Sequence, residues 1–167
     1  MQHLHSYWRM DYVEAPRVPE EESPFRALIE GGDDRKALIV HRSTHSCLML
    51  NRYPYNAGHL LVLPYREVGD LTDLSVEERS DLIELTTTGR VLLEKAIHPE
   101  GFNIGLNLGE AGGAGIPRHL HFHIVPRWKK DCNFMPVLAD TSVLPIALEE
   151  LWERLRRAVN EVTGENR

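Results

Sequence analysis

The sequence predicts an α+β domain: a mostly antiparallel sheet of about five strands with two helices. Three observations carry that expectation. Short apolar runs between Ala37 and Leu63 are separated by turn residues, a capped helical stripe runs from Ser75 to His98, and the run from His119 to Pro126 alternates polar with apolar side chains. A chain of 167 residues has the length of one domain and buries a core without disulfide staples.

The elements follow in order. Residues 1 to 35 hold Pro16, Pro19 and Pro24, the acidic run Glu20-Glu21-Glu22 and a closing Gly31-Gly32, and read as an irregular N-terminal arm on the surface. The domain core spans residues 36 to 128. Its first strands are Ala37-Leu38-Ile39-Val40, Ser46 to Asn51 and His59 to Leu63, with Tyr53-Pro54 and Asn56-Ala57-Gly58 between the last two. Ser75-Val76-Glu77-Glu78 is a capping box, and Leu82, Leu85, Gly89, Leu92, Leu93 and Ala96 recur at helical spacing up to His98-Pro99. That stripe should cover one sheet face. Strands then fit Phe102 to Asn107 and His119 to Pro126. Residues 129 to 167 form a C-terminal extension whose helix, Ile146 to Val162, follows Pro145 and packs on the same domain. If Phe102 to Asn107 lies at the sheet edge, Ile104 and Leu106 make it a template that a two-fold-related copy would cover.

Charge and composition exclude some functions. Nineteen basic against 25 acidic residues give a net charge of −6, which lacks the cationic surface of a polynucleotide binder. With 42% hydrophobic and 26% charged residues the chain belongs among folded domains rather than disordered ones. No apolar run approaches the ~20 residues of a membrane span, and the N-terminus lacks a basic-then-apolar leader pattern, so the expected location is the cytoplasm. Cys47 and Cys132 belong to no Cys-x-x-Cys pair and read as buried free thiols.

Histidine placement is the unusual feature. In a strand, His119, His121 and His123 share one face while Leu120, Phe122 and Ile124 share the other. Such a triplet has three readings: the polar face of a half-buried strand, a metal site built on His-x-His spacing, or phosphate chemistry with one imidazole as nucleophile. The loop Gly109 to Gly115 carries four glycines in seven residues, whose amides can approach a ligand closely and form an anion nest, and it favours phosphate.

The stretch His119-Leu120-His121-Phe122-His123-Ile124-Val125 matches the signature His-φ-His-φ-His-φ-φ, with φ apolar, and Asn51 to Pro64 supplies a second block with its Gly58-His59 pair. On these residues the chain resembles the histidine triad (HIT) family over about residues 36 to 128. The remainder, including Tyr7-Trp8-Arg9-Met10, Trp128 and Val143-Leu144-Pro145, is similar to the prokaryotic branch of fragile-histidine-triad-like proteins and diadenosine tetraphosphate phosphorylases. The resemblance implies a homodimer whose sheets join across the interface, with a nucleotide in a cleft on each subunit. It implies that His121 attacks an α-phosphorus to give a nucleotidyl-histidine, flanked by His119 and His123, which orient its ring and contact the phosphates or leaving group. His59 completes the cluster. Asn51 would contact the ribose, and Asn107, with Gly113 and Gly115 of the glycine loop, would hold phosphate oxygens. The implied reaction is cleavage of a phosphoanhydride in a diadenosine polyphosphate, by water as a hydrolase or by phosphate as a phosphorylase. A nucleoside phosphoramidase, a nucleotide sensor with negligible turnover and a zinc-dependent hydrolase are the alternatives.

The sequence also departs from the family. Some relatives bind zinc through an N-terminal Cys-x-x-Cys plus histidines; here Ser23-Pro24-Phe25-Arg26 stands there, so zinc is not expected and the proposed chemistry needs no cofactor. Many relatives place Ser, Thr or Gln shortly before the triad, where this chain has Gly115, Ile116, Pro117 and Arg118, leaving backbone amides or Arg118 to meet the leaving phosphate. His123 replaces the Gln of the sugar-1-phosphate nucleotidylyltransferase branch and weighs against that activity. Trp128 and Trp152 read as packing residues, Arg127-Trp128-Lys129-Lys130 as a solvated charge run, and His3, His5, His41 and His45 as surface or satisfied histidines.

Overall fold

The computed structural model describes residues 23–129, 131 and 146–164. Five strands, β1 (Ile39–Arg42), β2 (Ser46–Leu50), β3 (Leu60–Pro64), β4 (Gly101–Leu106) and β5 (Phe122–Arg127), form one sheet in the order β1-β2-β3-β5-β4. Every neighbouring pair is antiparallel. Four α-helices are described: α1 (Pro24–Glu30), α2 (Asp34–Ala37), α3 (Val76–Ile97) and α4 (Leu148–Thr163). None is long and apolar enough to cross a membrane.

Two helices exceed the expectation of two, and both fall at the end of the segment read as an irregular arm. Ser23 caps α1 by accepting the Phe25 N–H, with Pro24 at the first turn, where its missing N–H costs nothing. Asp33 caps α2 in the same way, accepting from Lys36 N. The arm's Pro16, Pro19 and acidic run lie outside the described residues, as do Tyr7 to Met10, Lys130, Cys132 and Val143 to Pro145.

The two long helices begin where the sequence places them, within a residue or two. The Ser75–Glu78 capping box forms reciprocally at the start of α3. Helix α4 lacks a side-chain cap and depends on burial of Leu151, Leu155, Ala158 and Val159, one stripe of its surface.

Strand alternation sorts the core onto two faces. Leu48, Leu50, Leu60, Val62 and Ile124 point toward α3 and α4 and meet Leu82, Leu85, Leu92, Leu93, Leu151 and Leu155. Each such side chain, withdrawn from water, contributes about 1.5–3 kcal/mol before chain entropy is counted. Gly89 permits the contact: a Cβ there would lie 2.8 Å from Ile124 Cδ1 and 2.9 Å from Leu48 Cδ1. The opposite face carries Ile39, Cys47, Met49, Leu61 and Leu63 under Ile29 and Phe25 of α1 and Ala37 of α2. Burial pushes the Cys47 thiol up to about 12, so it is an inert packing group.

The sheet's two edges differ. At β1, Trp152 Nε1–H donates to Ile39 O at 2.9 Å and Arg156 Nη1 to Val40 O at 2.7 Å, so α4 covers main-chain carbonyls there. Trp152 is thus a packing residue, as expected, and Trp128 donates to His98 O at 3.2 Å. At β4, Asn103, Ile104 and Gly105 are exposed, Ile104 to 48%.

Candidate active site

The register places the histidines together. His123 is paired with Leu61 on one side and Gly105 on the other, so it lies on the α1 face, and His59, two residues before Leu61, lies on that face one step along. Gly58, immediately before His59, has φ +80°, and a Cβ there would sit 2.6 Å from Ile97 Cδ1, so the turn that delivers His59 requires glycine twice over. Of the triplet only His123 is inside β5. His119 and His121 precede it, both buried, while Leu120 between them joins the core on the α3 face.

Fixed donors and acceptors assign the protons. Tyr55 N–H, which can only donate, reaches His59 Nδ1 at 3.1 Å, and Asn51 Nδ2 reaches the same atom at 3.2 Å. His59 Nδ1 therefore accepts and its Nε2 carries the hydrogen. That Nε2 lies 2.9 Å from His123 Nδ1, which must accept in turn, leaving the His123 proton on Nε2. His121 Nδ1 faces the His119 carbonyl at 2.8 Å; a carbonyl only accepts, so Nδ1 holds the hydrogen and Nε2 holds the lone pair. Burial keeps His121 below the ordinary imidazole value, partly opposed by that hydrogen bond. At neutral pH it is therefore a neutral base with a nucleophilic Nε2.

His119 is engaged at both nitrogens. Nε2 donates to Pro64 O at 3.0 Å, so Nδ1 accepts from Ser23 Oγ at 3.0 Å. The residue is 0% exposed, and burial lowers its pKa more than the Pro64 carbonyl and the Glu67 carboxylate raise it. Such a ring can orient a neighbour, but it has no nitrogen left for a phosphate. Of the two roles expected of His119, these bonds support the orienting one.

Aromatic contacts complete the packing. Phe25 meets His119 and His121 edge-on, with ring centroids 5.6 and 5.4 Å apart, and Tyr55 stacks on His59 at 4.6 Å. Sequence reasoning did not identify Ser23, Phe25 or Tyr55 as part of this cluster. The available signal was Ser23-Pro24 as a helix start, which the proline-rich reading of the arm passed over.

The expected binding residues divide. Asn51 Oδ1 accepts Tyr53 N–H at 2.9 Å while its Nδ2 supports His59, so its first role is local; a second lone pair on Oδ1 stays available to a hydroxyl donor. Asn107 Nδ2 donates to Gly113 O at 3.3 Å at the base of an exposed turn, in which Gly109 and Gly113 have φ of +66° and +86°. Gly115 is exposed at the end of that loop. Arg118 pairs with Glu67, Nε to Oε1, at 2.5 Å. In the expected charge run, Arg127 is exposed and bonded to Asp131 at 2.5 Å and to Asn103 Oδ1 at 2.9 Å, a solvated cation that also braces the strand end. Lys129 and Glu100 form an exposed pair.

No group of three or more His, Cys, Asp or Glu side chains among the described residues is arranged to hold a metal ion. At the stretch compared with a cysteine pair, Ser23 offers a hydroxyl and Arg26 a cation bonded to Glu30, a set that does not fit zinc.

Comparison with known proteins agrees with this geometry. Over 157 residues, 90% of this chain and 80% of the relative, the sequence is 38% identical to the AP-4-A phosphorylase of Mycobacterium tuberculosis (strain CDC 1551 / Oshkosh). It is 36% identical over 93 residues, 56% of this chain and 50% of the relative, to the asymmetrical bis(5'-nucleosyl)-tetraphosphatase of Schizosaccharomyces pombe. The fold is similar to that of a Zn-bound histidine triad family protein from Mycobacterium smegmatis, with TM-score 0.67 and 24% identity over 84% of this chain and 94% of that one. The HIT domain model matches residues 33–130, more than half of the chain, and the protein belongs to the HIT family.

Proposed function

We propose that this protein cleaves a phosphoanhydride of a diadenosine polyphosphate through a covalent nucleotidyl-histidine. The carrying observation is the His121 ring: its Nδ1–H is fixed by the His119 carbonyl, which leaves Nε2 as an oriented lone pair. With diadenosine tetraphosphate, Nε2 bonds to the α-phosphorus as the Pα–O–Pβ bridge breaks, and ATP leaves with the bridging electron pair. Attack by water on the adenylyl-histidine then gives AMP, and attack by inorganic phosphate gives ADP. Either one restores neutral His121.

The remaining residues take supporting roles. His123 presents an Nε2–H whose direction is set by His59, and His59 in turn by Tyr55 N–H and Asn51. This chain supplies a hydrogen-bond donor for phosphate oxygens without adding a charge. Asn51 Oδ1 takes a ribose hydroxyl, and Asn107 with the amides about Gly113 and Gly115 receives the polyphosphate. Arg118, held by Glu67, adds positive charge beside the leaving-group site. Similarity to a phosphorylase along most of the chain favours phosphate as acceptor. The proposed chemistry requires no metal, so chelation should leave the rate unchanged.

The discriminating experiment incubates the protein with diadenosine tetraphosphate across a phosphate titration. ADP rising at the expense of AMP, with ATP released in either case, identifies a phosphorylase; a constant AMP yield identifies a hydrolase and sinks the acceptor assignment. Absence of cleavage leaves the nucleotide-sensor reading.

The exposed residues of the β4 edge support a homodimer with the sheet continued across the two-fold axis, because an exposed strand carrying Ile104 is otherwise a template for uncontrolled pairing. Light scattering should give twice the 19.1 kDa chain mass, and Ile104→Lys should shift it toward the monomer. A wild-type monomer at micromolar concentration would contradict this.

A further inference from the structure

We infer that Ser23, ten residues ahead of the HIT-matched segment, is a positioning residue for the nucleophile: its hydroxyl holds the His119 ring, and the His119 carbonyl holds His121. The inference rests on His121 being the nucleophile.

Every bond of that chain has a defined direction. The Pro64 carbonyl takes the His119 Nε2–H, so Nδ1 is an acceptor, and in the described structure the group placed to donate to it is the Ser23 hydroxyl at 3.0 Å. The same oxygen accepts Phe25 N–H at 3.2 Å as the cap of α1. Its lone pair and its hydrogen are therefore both assigned, and a single atom joins the start of α1 to the first triad histidine. Ser23 is 1% exposed, so water does not compete for these bonds.

A second connection closes a ring around the same residue. Ser23 N–H points to Glu67 Oε2 at 3.4 Å, Glu67 Oε1 pairs with Arg118 Nε, and Arg118 is covalently the neighbour of His119. Phe25, two residues after Ser23, is the ring that packs edge-on against both His119 and His121. Helix α1 thus docks on the catalytic histidines through one hydroxyl and one aromatic ring. Without the hydroxyl, buried His119 Nδ1 loses its donor, and the residue whose carbonyl fixes His121 keeps one side-chain hydrogen bond, to Pro64 O, in place of two.

This assigns Ser23 an effect on kcat rather than on nucleotide binding, because it touches His119 and not the cleft. The test uses the full chain with Ser23→Ala, Ser23→Gly and Ser23→Thr. Glycine is a tolerated helix cap, so Ser23→Gly removes the hydroxyl while keeping α1. We expect kcat on diadenosine tetraphosphate to fall about tenfold to a hundredfold in the Ala and Gly variants. KM should stay within about twofold and Thr should restore the rate. Imidazole nitrogen spectra of the free protein should show His119 as a single Nε2–H tautomer in wild type and Thr, and as a mixture in Ala and Gly. Wild-type kcat in Ser23→Gly overturns the inference, as does a kcat loss with unchanged His119 signals. Failure of the wild type to form an adduct at His121 overturns the nucleophile assignment instead, and the ring signals still report whether Ser23 holds His119.

Discussion

The two faces of one sheet have been put to opposite uses. Toward α3 and α4 the strands present apolar side chains, aliphatic except for Phe102 and Phe122, closed by the Gly89 contact with Leu48 and Ile124. Toward α1 the far strands present His59 and His123, with His119 and His121 beside them, while the near strands keep a small apolar cluster around Cys47 and Met49. One-residue alternation separates the two environments by the thickness of the backbone. The polar face can tolerate four buried or half-buried imidazoles because each has a named hydrogen-bond partner. The difference assigns packing to one face and the proposed chemistry to the other, and substitutions should separate the two.

The largest separation is expected at His121. Replacing it with Asn removes the lone pair to which the proposed attack on phosphorus is assigned, and turnover should fall by about 10³-fold or more. Nucleotide affinity should stay within about tenfold, because most ground-state contacts come from other groups. Rapid-quench assays and equilibrium binding on the same preparation measure both. An Asn variant retaining even a tenth of the wild-type rate would remove His121 from its role.

The converse substitution is Gly89→Leu. It forces a side chain between α3 and the sheet where a single Cβ already comes within 3 Å of Ile124 and Leu48. Overpacking of this kind costs about 1–3 kcal/mol, seen as a lower urea midpoint. Folded molecules should still form the His121 adduct at low temperature. An undiminished midpoint would show that α3 can lift from the sheet without loss.

What was legible in the sequence follows the same division. The aliphatic face is a repeating pattern, and its strands, the Ser75–Glu78 box and the α3 stripe are all local periodicities that one sequence displays. The histidine face was legible in part: alternation gave the triplet, and resemblance to the HIT family added His59 to it. Its supports were not. Ser23 and His119 are 96 residues apart, and Pro64 and His119 are 55 apart, so no spacing rule connects them. Resemblance to the HIT family implied a ribose contact for Asn51; the fold adds a second role that no spacing rule shows, an amide directed at His59. Helix α1 was hidden for a different reason. Its Ser-Pro start is a genuine helix signal, but in a short segment among other prolines it was outweighed by composition.

The smallest expected effect is the dependence of stability on acid, and it should come from one face only. His119 and His121 are both held below the ordinary imidazole value by burial, whereas an unfolded chain returns them to about 6.5. Above that value neither state binds the protons and the two residues contribute no slope. As pH falls below it, the unfolded chain takes up protons that the folded site refuses, so the unfolding free energy declines until the folded pKa values are reached. Each group can contribute at most about 1.4 kcal/mol per unit of separation. The aliphatic face titrates nothing and adds nothing. Urea midpoints measured at pH 7.5, 6.5 and 5.5 should therefore fall in the last interval for the wild type and fall less for His121→Asn, which removes one of the two groups. The same burial should keep the acid limb of kcat below pH 6.5, since His121 must be neutral to attack. Equal declines in both proteins would mean that the refused protons belong elsewhere, and that the burial of His121 is without consequence for its charge.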